Sequence, residues 1–365
     1  MEILILNWRD IKHPLAGGAE TSTHEHAKGW VKAGHEVIQF SSFFPNAKKE
    51  EIIDSIKIIR RGNHYTVHLH AFFYYLKFLR KRIDLIIDEF HFIPFFTPLY
   101  AKSRKIAFIH ETAEEIWFKH KLFPINIIGY FIEPFFFKLY KHVPFMTVSD
   151  STKNDLVRFG IDKKNITIIH NGINVLESKS KKEKTPTIIC LNKLSPDKGS
   201  EDAVYAFYEA LKYEKNMYLW MVGKEEEKGH KKKLEQLANS LGIGNKILFF
   251  GFVSEEKKFD LLTRAWVLIH PSIKEGWGLN VIEAARCGTP AVVYDTSGLR
   301  DAVLDGKTGL IVKERSPEEL GKTIYSLLSN QQLYNTLNKN ALTWSKKFDW
   351  KKSVKESVKL IENIV

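Results

Sequence analysis

The sequence predicts an α/β protein with two Rossmann-like domains in tandem, and three observations carry that expectation. Short, almost entirely apolar runs alternate with helical patterns, as expected of strands buried on both faces of a parallel sheet. The alternation stops at a charged segment and then restarts. The length, 365 residues, suits two domains better than one.

In the first half, strand-like runs fall at 3–6, 36–40, 84–87, 105–109, 145–148 and 166–169. A helix is expected over 19–33, ended by Gly34. Residues 177–184 contain no apolar side chain and read as an exposed linker. Beyond them, strands are expected at 187–191, 218–222, 247–249, 267–269, 291–293 and 310–312. Helices are expected around 201–213, 231–241, 257–264, 279–287 and 317–328, with a last, basic helix over 350–364. The expected domains are therefore 1–173 and 174–347, facing each other across a cleft, where ligands commonly bind.

Composition narrows the function. Apolar residues make up 44% and charged residues 27%, which is ordinary for a globular chain. The 55 basic and 43 acidic residues give a net charge of +12, suggesting an anionic partner without naming one. Residues 1–175 hold 24 basic and 18 acidic residues, so half of the excess lies in each part. That even spread argues against a nucleic-acid stripe, and no nucleic-acid partner is expected. Cys190 and Cys287 lie in small or apolar runs without metal spacing. No basic leader precedes the first strand, and no stretch reads as a transmembrane helix.

The strongest motif is His270-Pro-Ser-Ile-Lys-Glu275-Gly276-Trp277-Gly278-Leu279-Asn-Val-Ile-Glu283, closed by Gly288-Thr-Pro290. A strand ends, a glycine loop follows, and a helix begins. Glycines let a ligand approach the backbone, and the helix N-terminus favours phosphate oxygens. Glu275 and Glu283 could grip different hydroxyl-rich parts of one ligand, as an acidic residue grips ribose in dinucleotide folds. A second motif, Asn192-Lys193-Leu-Ser-Pro-Asp-Lys198-Gly199, follows the first strand of the second domain. Two cations there can hold a diphosphate and stabilise the charge that grows as it leaves. A third, Gly17-Gly18-Ala-Glu20, is a phosphate-approaching turn that is neither G-x-G-x-x-G nor a P-loop. His110-Glu111 ends a strand, where His110 could orient a hydroxyl or share charge. Ser149 reads as an N-cap, and Asn171-Gly172 as the turn closing the first domain.

Together these stretches resemble the retaining glycosyltransferases of family 4, which have the GT-B fold. The resemblance runs from Gly17-Gly18 through His110, Val148-Ser149, His170-Asn-Gly172, Lys198-Gly199 and Gly251-Phe-Val253 to Glu275–Glu283 and Gly306-Lys-Thr-Gly309. It implies transfer of a sugar from a nucleoside-diphosphate sugar, UDP- or GDP-linked, to a hydroxyl of a glycan or lipid-linked glycan. No cofactor or metal ion is implied; the nucleotide sugar is a co-substrate. The final helix, with residues 348–365, is implied to cross back to the first domain. Lys193 and Lys198 would hold the diphosphate, and Glu283 the ribose. Glu275 would lie beside the donor sugar, with the backbone of Gly276, Trp277, Gly278 and Leu279 near sugar and phosphate. Phe252 and Val253 would border the base. Gly17 and Gly18 would close on the phosphates, and His110 would face the transferred sugar. Lys198, Glu275 and His110 carry the catalytic expectation. The family often has Gly-Arg where this chain has Asn192-Lys193. Lysine keeps the charge but loses the planar fork. The alternative is a GT-B-like sugar-nucleotide epimerase acting on the donor alone.

Aromatic residues concentrate between 72 and 145, which hold 21 of the 46. Residues 71–82 and 117–140 interleave them with Lys and Arg, a composition suited to an anionic membrane surface and equally to core. The expected location is cytoplasmic, peripheral on the cytoplasmic membrane face.

Overall fold

A computed structural model describes residues 1–120, 122–174, 176 and 178–364. Lys121 of the aromatic stretch, Val175, the first linker residue Glu177 and the C-terminal Val365 lie outside the described residues. The chain divides into two compact units, 1–172 with 349–365, and 173–348.

In the first unit the strands are β1 (Glu2–Leu6), β2 (Glu36–Ser41), β3 (Glu50–Ile53), β4 (Ile56–Arg60), β5 (Leu85–Phe90), β6 (Arg104–Ile109), β7 (Phe145–Thr147) and β8 (Ile166–Ile168). They form one sheet in the order β3-β4-β2-β1-β5-β6-β7-β8, parallel except for the β3–β4 pair. Its helices are α1 (Gly18–Lys32), α2 (Val67–Tyr74), α3 (Trp117–His120), α4 (Ile125–Leu139) and α5 (Asp150–Arg158). Ser149 caps α5 by accepting from the Thr152 amide.

The second unit has β9 (Thr187–Leu191), β10 (Tyr218–Val222), β11 (Ile247–Gly251), β12 (Val267–His270), β13 (Ala291–Tyr294) and β14 (Gly309–Val312). All are parallel, in the order β11-β10-β9-β12-β13-β14. That is the Rossmann order, with its reversal between β9 and β12. The helices are α6 (Ser200–Leu211), α7 (His230–Ser240), α8 (Glu255–Arg264), α9 (Leu279–Arg286), α10 (Leu299–Ala302), α11 (Pro317–Ser329) and α12 (Gln331–Ser345). One core cluster runs from Ile188 through Phe207 and Ile269 to Leu337.

The last helix, α13 (Trp350–Ile364), belongs to the first unit. Its Ser357 hydroxyl lies 3.0 Å from His26 Nδ1 and accepts from the Trp30 indole at 3.1 Å. Gly29 and Gly172 make room for it. A Cβ on Gly29 would stand 2.1 Å from Val354, and one on Gly172 2.2 Å from the Trp350 amide nitrogen. Gly172 therefore serves close approach as well as the turn read from the sequence.

Two features depart from the sequence reading. The hairpin β3–β4 was not expected. Its turn places Asp54 and Ser55 at φ 50° and 65°, without the Asn-Gly or Asp-Gly pair that signals such turns. The segment after 177 is not a free linker. Lys182 donates to Ala265 O and Thr289 Oγ1, both at 2.6 Å, and burial pushes its ammonium down to about 7.

Candidate active site

In the second unit, the loops after β9 and β12 meet where the strand order reverses, the usual ligand position in open α/β sheets. Lys198 follows β9 and Glu275 follows β12. Lys198 Nζ lies 2.9 Å from Glu275 Oε1. Backbone shape brings them together. Gly199 has φ 65°, and a Cβ there would stand 2.1 Å from the Pro271 carbonyl oxygen. Gly298, at φ 78°, lets its loop pass beneath Glu275, whose carbonyl oxygen would be 2.1 Å from a Cβ. Burial raises the Glu275 pKa, but the charge and hydrogen bond of Lys198 lead the opposing influences that hold the carboxyl below its ordinary value.

A polar chain supports this pair. Asn280 donates to Leu191 O at 2.6 Å and to Asn192 Oδ1 at 3.1 Å. Asn192 Nδ2 lies 3.2 Å from His270 Nε2, so that ring nitrogen accepts. Burial pushes the His270 pKa down to about 4, consistent with a neutral ring. Asn192, where the family often has glycine, thus links the ends of β9 and β12 to the first turn of α9.

Glu283 is held separately, one helical turn into α9. Lys258 of α8 reaches its Oε1 at 2.8 Å, while its buried Oε2 has no hydrogen-bond partner among the described residues. Burial raises its pKa, and Lys258 offsets only part of that. Lys193 turns away from Lys198 to Glu226, 3.4 Å off. The two lysines expected to act together therefore have different partners. Gly278 takes φ 70° as the N-cap of α9, and the first two amides of the helix, Leu279 and Asn280, come before its first backbone hydrogen bond, from Val281 to Gly278 O. Between Gly276 and Leu279, the Trp277 side chain is core: it is 3% exposed and packs on Phe348 at 5.0 Å. Only its backbone suits the ligand role expected of it. Phe252, 81% exposed, and half-buried Val253 follow β11, two strands from β9.

The first unit has its own reversal, between β1 and β5. Glu89 near the end of β5 is buried. Its Oε1 lies 3.3 Å from His110 Nε2 and 3.4 Å from His91 Nε2, and its Oε2 accepts from Thr23 at 2.7 Å. Glu20 of α1 lies 2.7 Å from Arg9 Nε and 3.2 Å from His91 Nε2. It also accepts the Gly17 amide at 2.6 Å. The amide that a phosphate would use at Gly17 is therefore taken by a carboxylate. Sequence reading missed Arg9, Glu89 and Lys258, and it named Glu20 within its motif without giving it a role. Gly17-x-x-Glu20 has the spacing of a capping carboxylate, and that signal was available. Lys258 carries no local signal, because it meets Glu283 across 25 residues on another helix.

Two Rossmann-type units, each with converging charged side chains at its strand reversal, define a two-domain α/β protein with a candidate site in each unit. Known proteins narrow this. Residues 174–344 match the model of glycosyl transferases group 1, and residues 16–176 that of glycosyltransferase family 4. An uncharacterised glycosyltransferase of Methanocaldococcus jannaschii is 28% identical over 96% of each chain. The N,N'-diacetylbacillosaminyl-diphospho-undecaprenol α-1,3-N-acetylgalactosaminyltransferase of Campylobacter jejuni is 26% identical over 82% of each. Among solved structures, sucrose-phosphate synthase of Thermosynechococcus elongatus superposes with a TM-score of 0.81, at 18% identity, covering 100% of this chain and 98% of that one. Anabaena HepE, solved with UDP and glucose, gives 0.79 at 17% identity, with full coverage of both. The chain belongs to the family 4-like glycosyltransferases of the GT-B fold.

Among the described residues, no helix is long and apolar enough to cross a membrane.

Proposed function

We propose that this glycosyltransferase moves a sugar from a nucleoside-diphosphate sugar to a hydroxyl of a glycan or lipid-linked glycan, with retention at the anomeric carbon. The observation that carries this reading is the Lys198–Glu275 pair at the β9/β12 reversal, with Glu283 one helical turn into α9. A diphosphate arriving at Lys198 draws the ammonium from Glu275, which then accepts hydroxyls of the donor sugar. The unpartnered Glu283 Oε2 is free to accept ribose hydroxyls. The first amides of α9 add donors for phosphate oxygens, and Lys193 adds a second, more exposed cation. Phe252 and Val253 border the base. No metal ion is required in this reading, because lysine and backbone amides meet the growing charge.

In the first unit His110 serves the transferred sugar, held by Glu89. Nothing within this unit requires glycine at 17: its φ is −149°, and a Cβ would meet no atom nearer than 3.9 Å. The Gly17 amide is held by Glu20, so the phosphate role proposed for Gly17 and Gly18 requires that carboxylate to give it up. The leaving diphosphate takes the proton of the incoming hydroxyl on the face it departs from. HepE solved with UDP-glucose supports a nucleotide-sugar donor, and the Campylobacter relative's name supports a diphospholipid-linked acceptor. The protein works in the cytoplasm, peripheral to an anionic membrane.

A thermal-shift screen against UDP-, GDP- and ADP-sugars tests the donor. One of them is expected to raise the melting temperature. Glu283→Ala and Lys198→Ala are expected to lose that response. Unchanged donor binding in both variants refutes the site.

A further inference from the structure

Helix α4 is built inside out for a helix in water. Its buried residues are Gly129, Glu133 and Phe137, a single line at intervals of four. Gly129 lies beneath the Trp117 ring, where a Cβ would be 2.2 Å from it. Glu133 accepts from the amides of Ala113 and Glu114 at 2.6 and 2.8 Å, and from the Trp117 indole at 3.1 Å. The only acidic residue between 117 and 143 thus points inward. Outward stand Leu122 and Phe123 before the helix, 86% and 78% exposed, and Ile128, Phe131 and Phe135 on it. At 100° per residue, the exposed positions from 125 to 138 sweep more than half of the helix circumference. Contiguous apolar surface of this kind marks an interaction site.

The adjoining surface has the same character. Val67, Ala71, Tyr75 and Leu79 form the inward line of α2 and the turn that continues it. The outward side carries exposed Leu69, Phe73 and Phe78. Lys77, Arg80, Lys81 and Arg82 are exposed too, and no acidic residue occurs from 67 to 82. Phe72 meets Tyr100 at 4.9 Å and Phe96 meets Phe136 at 5.4 Å, so the 92–100 loop bridges α2 and α4. The two aromatic-basic stretches of the sequence are therefore one neighbourhood, each core on one side and exposed on the other.

We propose that this face docks on an anionic phospholipid bilayer, with the outward Phe and Ile side chains of α4 among the acyl chains. Lys119, Lys138 and Lys141, all exposed, lie on the headgroups with Lys77, Arg80 and Lys81, while Arg82 pairs with Glu2 at 2.6 Å. Charge complementarity selects the occupant: the face offers hydrocarbon and cations with no exposed acid over 117–143. Its breadth also favours a fluid that surrounds α4 over a protein that covers one stripe. At 15 residues, α4 is about 22 Å long, too short to span. The purpose rests on the lipid-linked acceptor proposed above, whereas the test needs neither acceptor nor donor.

The full chain is mixed with phosphatidylcholine vesicles, with and without about a third phosphatidylglycerol, and sedimented. Binding to the anionic vesicles is expected, weakened but not abolished by high salt. Ile128→Asp with Phe131→Asp is expected to reduce it by at least tenfold and to keep the melting temperature, because both side chains point outward. Arg80→Glu with Lys81→Glu is expected to remove the preference for anionic lipid. Absence of binding to anionic vesicles overturns the proposal, as does binding indifferent to the α4 variant. A wild-type dimer in solution that this variant converts to monomers also overturns it, since a second copy would then cover the face. Vesicle binding without any donor-induced thermal shift sinks the donor reading and leaves this one standing.

Discussion

The two units arrange buried carboxylates differently. In the second, each functional glutamate faces a lysine: Glu275 faces Lys198, and Glu283 faces Lys258. In the first, Glu89 faces two imidazoles, and Glu20 faces Arg9 and His91. A lysine offers fixed positive charge that an incoming diphosphate can take over. An imidazole can donate or accept according to its tautomer, which suits hydroxyl groups. In the proposed function the second unit holds the anion through its lysines, and the first orients neutral polar groups through its histidines.

Exchange of one charge in each unit breaks or supports this contrast most directly. Lys198→Ala removes the cation and leaves Glu275 buried without it. Turnover is expected to fall roughly 10²–10³-fold, with loss of the donor-induced thermal shift. Glu89→Gln keeps the shape of the side chain and removes the charge that faces His110 and His91. It is expected to lower turnover by less than Lys198→Ala does and to leave the donor-induced shift intact. If Glu89→Gln abolishes donor binding, the division between the units fails.

Acidification separates the two glutamates of the second unit. Glu283 titrates above its ordinary value of 4.5 because burial outweighs Lys258. The folded form therefore takes up its proton before the unfolded chain does, and the cost of burying its charge disappears as pH falls through that window. Glu275 titrates below 4.5, so the stability of its pair with Lys198 is present above that value and lost only at lower pH. Donor affinity is expected to fade on acidification before the protein loses the Lys198–Glu275 pair. Glu283→Gln is expected to bind donor weakly and to flatten that pH profile above 4.5. A profile unchanged by Glu283→Gln would assign the titration elsewhere.

The central strands were legible because a sheet buried on both faces leaves continuous apolar runs such as Ile3–Leu6 and Ile188–Leu191. The edge hairpin was not, because Glu50 and Glu51 interrupt its pattern. Its support is also remote: Glu51 binds the buried Arg60, which grips Asp10 through two nitrogens at 2.6 and 2.7 Å. The glycines and charges of the second-unit site were readable as types at the ends of strands. Their pairing was not, since Lys258 and Glu283 meet only through the packing of α8 on α9. Trp277 shows another limit of sequence reading. Its backbone was expected near the ligand, but nothing in the sequence says that its ring turns toward Phe348 and becomes core.

Lys193 gives the smallest effect and the finest test. It shares the β9 loop with Lys198 but pairs with Glu226 at 3.4 Å, and both side chains are about a quarter exposed. An exposed pair of this kind is screened and contributes about 0–1 kcal/mol. Lys193→Ala is therefore expected to leave the melting temperature almost unchanged. Its donor affinity, titrated at fixed salt, is expected to fall by less than about tenfold, which corresponds to less than about 1.4 kcal/mol. A lysine that meets phosphate as a mobile point charge gives up less than one already fixed beside the donor sugar. If the loss equals that of Lys198→Ala, both cations hold the diphosphate equally, and the Glu226 pair is only the resting place of a residue that turns inward when the donor arrives.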